Sequence, residues 1–117
     1  MECGWYKAAR KLLNHLYRTM NALANRYSVL VVLTHLISTN IAECKFRSAK
    51  EAFIKASTFY DPLKDKEFNA GLLYAEECFR HYCLSNFNEA DEWADRALLE
   101  VRGHVIRRGH VIRRGVT

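Results

Sequence analysis

"SVLVVLTHLI", residues 28–37, admits two readings that lead to different folds. Its β-branched valines suit a buried strand, because branched side chains pack well on a pleated surface. Its position between segments of helical periodicity suits a buried helix instead. Periodicity within the run does not decide between them, since a short continuous apolar stretch is compatible with either. The flanking sequence therefore carries the argument, and it points to a helix.

On the N-terminal side, Trp5, Ala9, Leu12, Leu16, Met20, Leu23 and Tyr27 recur at steps of three or four and lay one apolar stripe along a helix. Lys7, Arg10, Lys11, Asn14, Arg18 and Arg26 fall mainly off that stripe, as a solvated face or as a basic ridge for phosphates or acidic lipid. On the C-terminal side, "FRSAKEAFIKASTFYDP" puts Phe46, Ala49, Phe53 and Ala56 on one helical face, and Asp61-Pro62 supplies a stop. "FNAGLLYAEECFRHYCLSN" forms a further helix with a wide apolar face through Leu72, Ala75, Phe79 and Tyr82. After a turn at Ser85-Asn86, "FNEADEWADRALLEV" repeats the pattern with Phe87, Ala90, Ala94, Ala97 and Val101. A shift of 41 positions carries Phe46 to Phe87, Ala49 to Ala90, Glu51 to Glu92 and Ala56 to Ala97, the echo that two helical hairpins of common design would leave. The expectation is an all-α fold: an N-terminal helix, then two antiparallel hairpins, with residues 1–101 a single domain and 102–117 a basic tail.

Length and composition fit one such domain. The chain has 117 residues, half of them hydrophobic, with five Gly and one Pro. No apolar run approaches the roughly 20 residues that cross a bilayer, and the N-terminus lacks the layout of a secretory signal. An intracellular, cytoplasmic or nuclear protein with reduced Cys3, Cys44, Cys78 and Cys83 is expected. The net charge of +5 hides a division: residues 1–60 carry nine Lys or Arg against three acids, residues 61–101 four against ten, and the tail five Arg against none. A chain so polarised can attract an anionic partner at its ends or fold its tail over its own acidic middle.

The second helices of the two hairpins resemble the tetratricopeptide repeat and its longer-period relatives of the SNAP adaptor type. An aromatic is followed by a small residue three on and another seven beyond, as Phe46/Ala49/Ala56 and Phe87/Ala90/Ala97. In the first helices the family's small residue falls on Cys78, its tyrosine on His81 and a leucine on Glu77; the earlier hairpin gives Ile37, Asn40 and Leu36. The resemblance implies a short solenoid whose concave wall draws Val31, Thr34, Ser38 and Ile41 from one hairpin and Leu72, Ala75, Phe79 and Tyr82 from the next. The Lys/Asn set with which some members clamp a terminal carboxylate is missing, so an apolar or helical ligand suits the wall better. Trp93, off the main stripe of its helix, is either packed core or an aromatic anchor at an interface. "NALANRYSVLVVLT" also resembles a helix-then-strand passage of RecA-type ATPases, but no G-x-x-x-x-G-K-[ST] loop is present to hold nucleotide.

Catalytic chemistry has no candidate constellation, and no cofactor is implied. Cys78 and Cys83, with His81 between them, offer zinc-like ligands, yet at about 100° per residue the two thiols lie roughly 140° apart on a helix and do not close on one ion. Glu77 and His81 read as an exposed pair one turn apart. His15 and His35 read as packed imidazoles. The leading reading is a non-catalytic module that binds another protein, or self-associates, through Leu72, Ala75, Phe79, Tyr82 and Trp93. The runner-up is a nucleic-acid-binding protein using Lys7, Arg10, Lys11 and Arg18 with the tail arginines Arg102, Arg107, Arg108, Arg113 and Arg114. The tail repeats Arg-Gly-His-Val-Ile-Arg twice; its glycines discourage helix, so flexibility is expected, while Val105-Ile106 and Val111-Ile112 suggest docking on an apolar surface.

Overall fold

A computed structural model describes the backbone of residues 4–116 and the side chains of residues 4–106. Five α-helices follow in order: α1 (Gly4–Ala22), α2 (Arg26–Ala42), α3 (Phe46–Phe59), α4 (Ala70–Cys83) and α5 (Phe87–Val116). No strand occurs among the described residues. The chain divides into two compact units, Met1–Phe68 and Asn69–Thr117.

In the first unit the ambiguous run is helical. Asn25 caps α2, its side chain accepting from the Ser28 amide at 3.1 Å. Val29, Leu30, Val32, Leu33, Leu36, Ile37 and Ile41 are all buried, as α2 packs against both α1 and α3. A helix covered on two sides is apolar nearly all round, so its sequence shows no single stripe. The β-branched residues are accommodated because burial outweighs their small propensity deficit. The strand reading, and with it the RecA-like passage, does not hold.

The N-terminal helix departs from expectation in which face it turns inward. None of its residues is buried: Trp5 and Leu12 are largely exposed, as is Leu23 just past its end, while Ala9, Leu16 and Met20 of the stripe are half-buried together with Leu13 and Tyr17. With only one apolar neighbour, α2, there is room for part of the stripe and not the whole of it.

Helices α3 and α5 start at residues 41 positions apart, Phe46 and Phe87, and bury the matching alanines, Ala49 and Ala56, Ala90 and Ala97. The turns before them match too. Cys44 and Ser85 hold left-handed backbone at φ 61° and 62°, and Ala24 does so between α1 and α2 at φ 56°. At each turn an amide reaches back five residues to close the preceding helix, Asn25 to Met20, Lys45 to Asn40 and Asn86 to His81. This is a Schellman closure without the glycine that usually occupies it.

Arg26, at the head of α2, holds the segment after α3. Its guanidinium donates to both oxygens of Asp65 at 2.8 and 2.7 Å and to the Phe59 carbonyl at 2.7 Å, and lies 4.1 Å from the Phe59 ring centre. Asp65 also accepts from the Asp61 amide at 2.8 Å. The hydrogen bonds from Arg26 hold the Asp65 carboxyl below the usual carboxylate range, against a burial effect that raises it. Arg26, expected on a solvated face, is a structural tie.

In α5 the helix continues through the Arg-Gly-His-Val-Ile-Arg repeat to Val116, so the expected flexible tail is helical. Extending a helix already packed through Ala90 and Ala97 needs no new nucleus, and each added residue gains a hydrogen bond that offsets the cost of about 1 kcal/mol per glycine.

Two outcomes are expected. Ser85→Gly relieves the left-handed conformation and raises stability by about 0.5–1 kcal/mol in chemical denaturation; an unchanged or lower midpoint contradicts the assigned turn. Asp65→Asn destabilises at neutral pH. Because the folded carboxyl titrates below its unfolded value near 3.9, the native advantage over the variant is complete above that value and fades as pH falls through the folded one. The two melting temperatures should converge in acid, and a constant gap would show that the carboxylate charge is not involved.

Candidate functional site

Helix α4 packs on α5 through small residues. Asn69 caps α4 by accepting from the Gly71 amide at 2.9 Å, and at Gly71 the two helices come so close that a Cβ would stand 2.5 Å from Val101 Cγ2 and 2.9 Å from the Ala97 carbonyl. Tyr74 and Trp93 rings meet at 5.7 Å, and the Arg96 guanidinium lies 4.7 Å from the Trp93 ring centre. Trp93 is half-buried in this contact.

The rotation of α4 that this contact sets is unusual in what it turns outward. Leu72, Ala75, Phe79 and Tyr82 lie within an arc of about 80° at 100° per residue, and all four are exposed. Leu72, Phe79 and Tyr82 keep 57%, 51% and 60% of their surface in solvent. Phe87, 56% exposed at the start of α5, stands edge-on to Tyr82 at 5.6 Å and extends the patch. Sequence reading placed Phe87 on the packing stripe of its helix. Its position directly after the turn, one step before the helix meets its neighbour, was the available signal that it would stay outside.

Away from that arc, Leu73, Glu77 and Arg80 are buried. Glu77 Oε1 accepts from Arg80 Nε at 2.9 Å and from Arg80 Nη2, and lies 3.0 Å from His81 Nε2, while Glu77 Oε2 is buried with no hydrogen-bond partner. The expectation of an exposed Glu77–His81 pair is therefore corrected: the carboxylate is desolvated, and the neighbouring Arg80 supplies the charge that makes its burial tolerable.

Nucleophilic chemistry finds little support in this unit. Burial pushes the Cys78 thiol up, with Asp91 adding to the effect, which lowers its thiolate fraction. Burial likewise raises the Tyr74 hydroxyl, Glu100 adding and Arg96 opposing. Among the described residues no three His, Cys, Asp or Glu side chains converge as metal ligands.

In the first unit, Lys7, Lys11 and Arg18 are exposed along one side of α1, whose Gly4–Ala22 span contains no acid. Arg10 is not on that free ridge; it is paired with Glu43, which Lys45 also approaches at 3.3 Å. Arg102 is exposed on α5, and the side chains of Arg107, Arg108, Arg113 and Arg114 lie outside the described residues. Of the other expected wall residues, Val31, Thr34 and Ser38 are half-buried and Ile41 is buried. A polar cleft of about 230 Å³ opens over α2 between Arg10, Asn14 and Tyr17 of α1 and Glu51 and Lys55 of α3, with the buried Asn40 at its floor.

The architecture is thus an all-α chain of helical hairpins with an apolar patch on one helix and a basic ridge on another. No family model matches it, and no solved structure does. The chain is similar to Amyloid protein-binding protein 2 of Rattus norvegicus and of Mus musculus, at 25% identity over 105 residues in each. The match covers 86% of this chain and 18% of each relative, so the chain spans less than a fifth of the length of the curated relatives it matches. By their name, those relatives bind an amyloid protein. No helix among the described residues is long and apolar enough to cross a membrane.

Gly71→Ala should destabilise the chain by about 1–3 kcal/mol in urea unfolding, because the added methyl meets backbone and a packed valine. A neutral result would mean that α4 and α5 are not in such close contact.

Proposed function

We propose that this chain is a non-catalytic protein-binding module, and that the exposed face of α4 is where a partner docks. The observation that carries the reading is the inversion of α4. Glu77 and Arg80 are buried beside Leu73 while Leu72, Phe79 and Tyr82 face solvent, an arrangement that costs free energy in the isolated chain and is offset when a partner covers Leu72, Phe79, Tyr82 and Phe87. Trp93, half-buried against Tyr74, belongs to the contact between α4 and α5. Ala75, with its short side chain between Leu72 and Phe79, leaves a shallow seat that suits the apolar stripe of an amphipathic helix. The similarity to relatives named for binding an amyloid protein supports a protein as the partner class and makes segments of that protein the first ligands to try.

A second reading rests on Lys7, Lys11 and Arg18, which offer phosphate contacts along an acid-free helix. It requires nucleic-acid affinity that falls steeply with salt and is lost when these three are reversed in charge.

Titration of amphipathic helical peptides, including segments of the amyloid protein, separates the two. Phe79→Ala or Tyr82→Ala should weaken peptide binding about tenfold or more with circular dichroism unchanged. Unaltered affinity in both variants would remove α4 as the docking face.

A further inference from the structure

A second apolar surface remains once the α4 face has been assigned. On α1 and the turn that ends it, Trp5, Leu12 and Leu23 are 77%, 58% and 69% exposed and fall on one line along the helix. Lys7, Lys11 and Arg18 form a neighbouring line, and exposed Ala8, His15 and Ala22 lie between the two. Over 19 residues, about 28 Å, this outer face is apolar on one edge and cationic on the other, with small alanines that allow close approach. The outer face of α5 has the complementary make-up. Asp91, Glu92 and Asp95 are exposed there, and Leu98, Leu99 and Ile106 follow on the same side at 53%, 67% and 70% exposure, with the exposed Arg102 among them.

We propose that a second copy of this chain covers α1, the outer face of α5 in one copy seating on the outer face of α1 in the next. Charge decides the pairing. Contact between two α1 faces would set cation against cation along an acid-free helix and is penalised, whereas the Asp91, Glu92 and Asp95 run of α5 supplies the anions that α1 lacks. The α1-to-α5 pairing joins cations to anions at the rim and buries Trp5, Leu12 and Leu23 against Leu98, Leu99 and Ile106. The contact is heterologous: each copy uses one face to bind and presents the other, which yields a closed ring or an open chain according to geometry. It involves none of the α4 residues and stands whether or not that face binds a partner.

The test is sedimentation of the full chain over a range of concentrations, with Leu12→Glu and Leu99→Glu, both at exposed positions. Wild type should associate, and the association should weaken about tenfold or more as salt rises from 0.1 M to 1 M and the screening length falls from about 10 Å to about 3 Å. Each variant alone should be monomeric, since each has lost one face. An equal mixture should form a one-to-one dimer, because the intact α1 of one variant meets the intact α5 of the other. If either variant loses helicity, Lys11→Glu and Asp95→Lys serve in the same mixing design. Monomeric wild type at every concentration overturns the proposal, as would a mixture that stays monomeric. Dissociation by Leu12→Glu with Leu99→Glu still fully associated would overturn it in favour of an α1-to-α1 contact.

Discussion

The carboxylate of Glu77 is the constraint on which the site depends. A buried carboxylate left alone costs several kcal/mol, and this one is only 2% exposed. Arg80, one turn on, closes on its Oε1, His81 approaches the same atom, and the Asn86 amide hydrogen-bonds the His81 carbonyl at 2.8 Å to end the helix. Arg80 and His81 lie on the same helix and turn with Glu77, so they make its burial tolerable, while the packing against α5 sets which side of α4 is turned from solvent. With Gly71 drawn against Ala97 and Val101, α4 has little freedom to rotate. Leu72, Phe79 and Tyr82 are left outside as a consequence.

The first unit is organised differently. Its centre is α2, and α1 and α3 sheathe it, with the Arg26–Asp65 pair tying the head of α2 to the segment beyond α3. Burial there follows hydrophobicity. In α4 the buried side carries Glu77 and Arg80 beside Leu73 while Leu72, Phe79 and Tyr82 stay exposed, and that contrast is why the docking face is proposed for the second unit.

The same contrast explains how much could be read from sequence. Helix α3 was legible because Ala49, Phe53 and Ala56 form a simple stripe that the fold buries, and the 41-residue echo extends to the turns at Cys44 and Ser85. Leu72, Ala75, Phe79 and Tyr82 were legible as one face of α4, though periodicity alone does not tell an apolar face that packs from one left open. Helix α2 was ambiguous because a helix covered on two sides carries no stripe. The burial of Glu77 and the exposure of Phe87 were not legible, since both depend on a rotation set by a glycine contact between residues 71 and 101 that are distant in sequence. The helical course of residues 102–116 was not legible because a glycine's local preference says nothing of the packed helix that precedes it.

The central claim is that α4 turns Leu72, Phe79 and Tyr82 out while Leu73, Glu77 and Arg80 face in. Hydroxyl-radical footprinting of the free chain, read residue by residue by mass spectrometry, tests this directly. The account predicts rapid labelling of Leu72, Phe79 and Tyr82 and strong protection of Leu73, which is fully buried. Protection of Phe79 and Tyr82 with labelling of Leu73 would mean that the helix is rotated the other way, and the docking face would be lost with it.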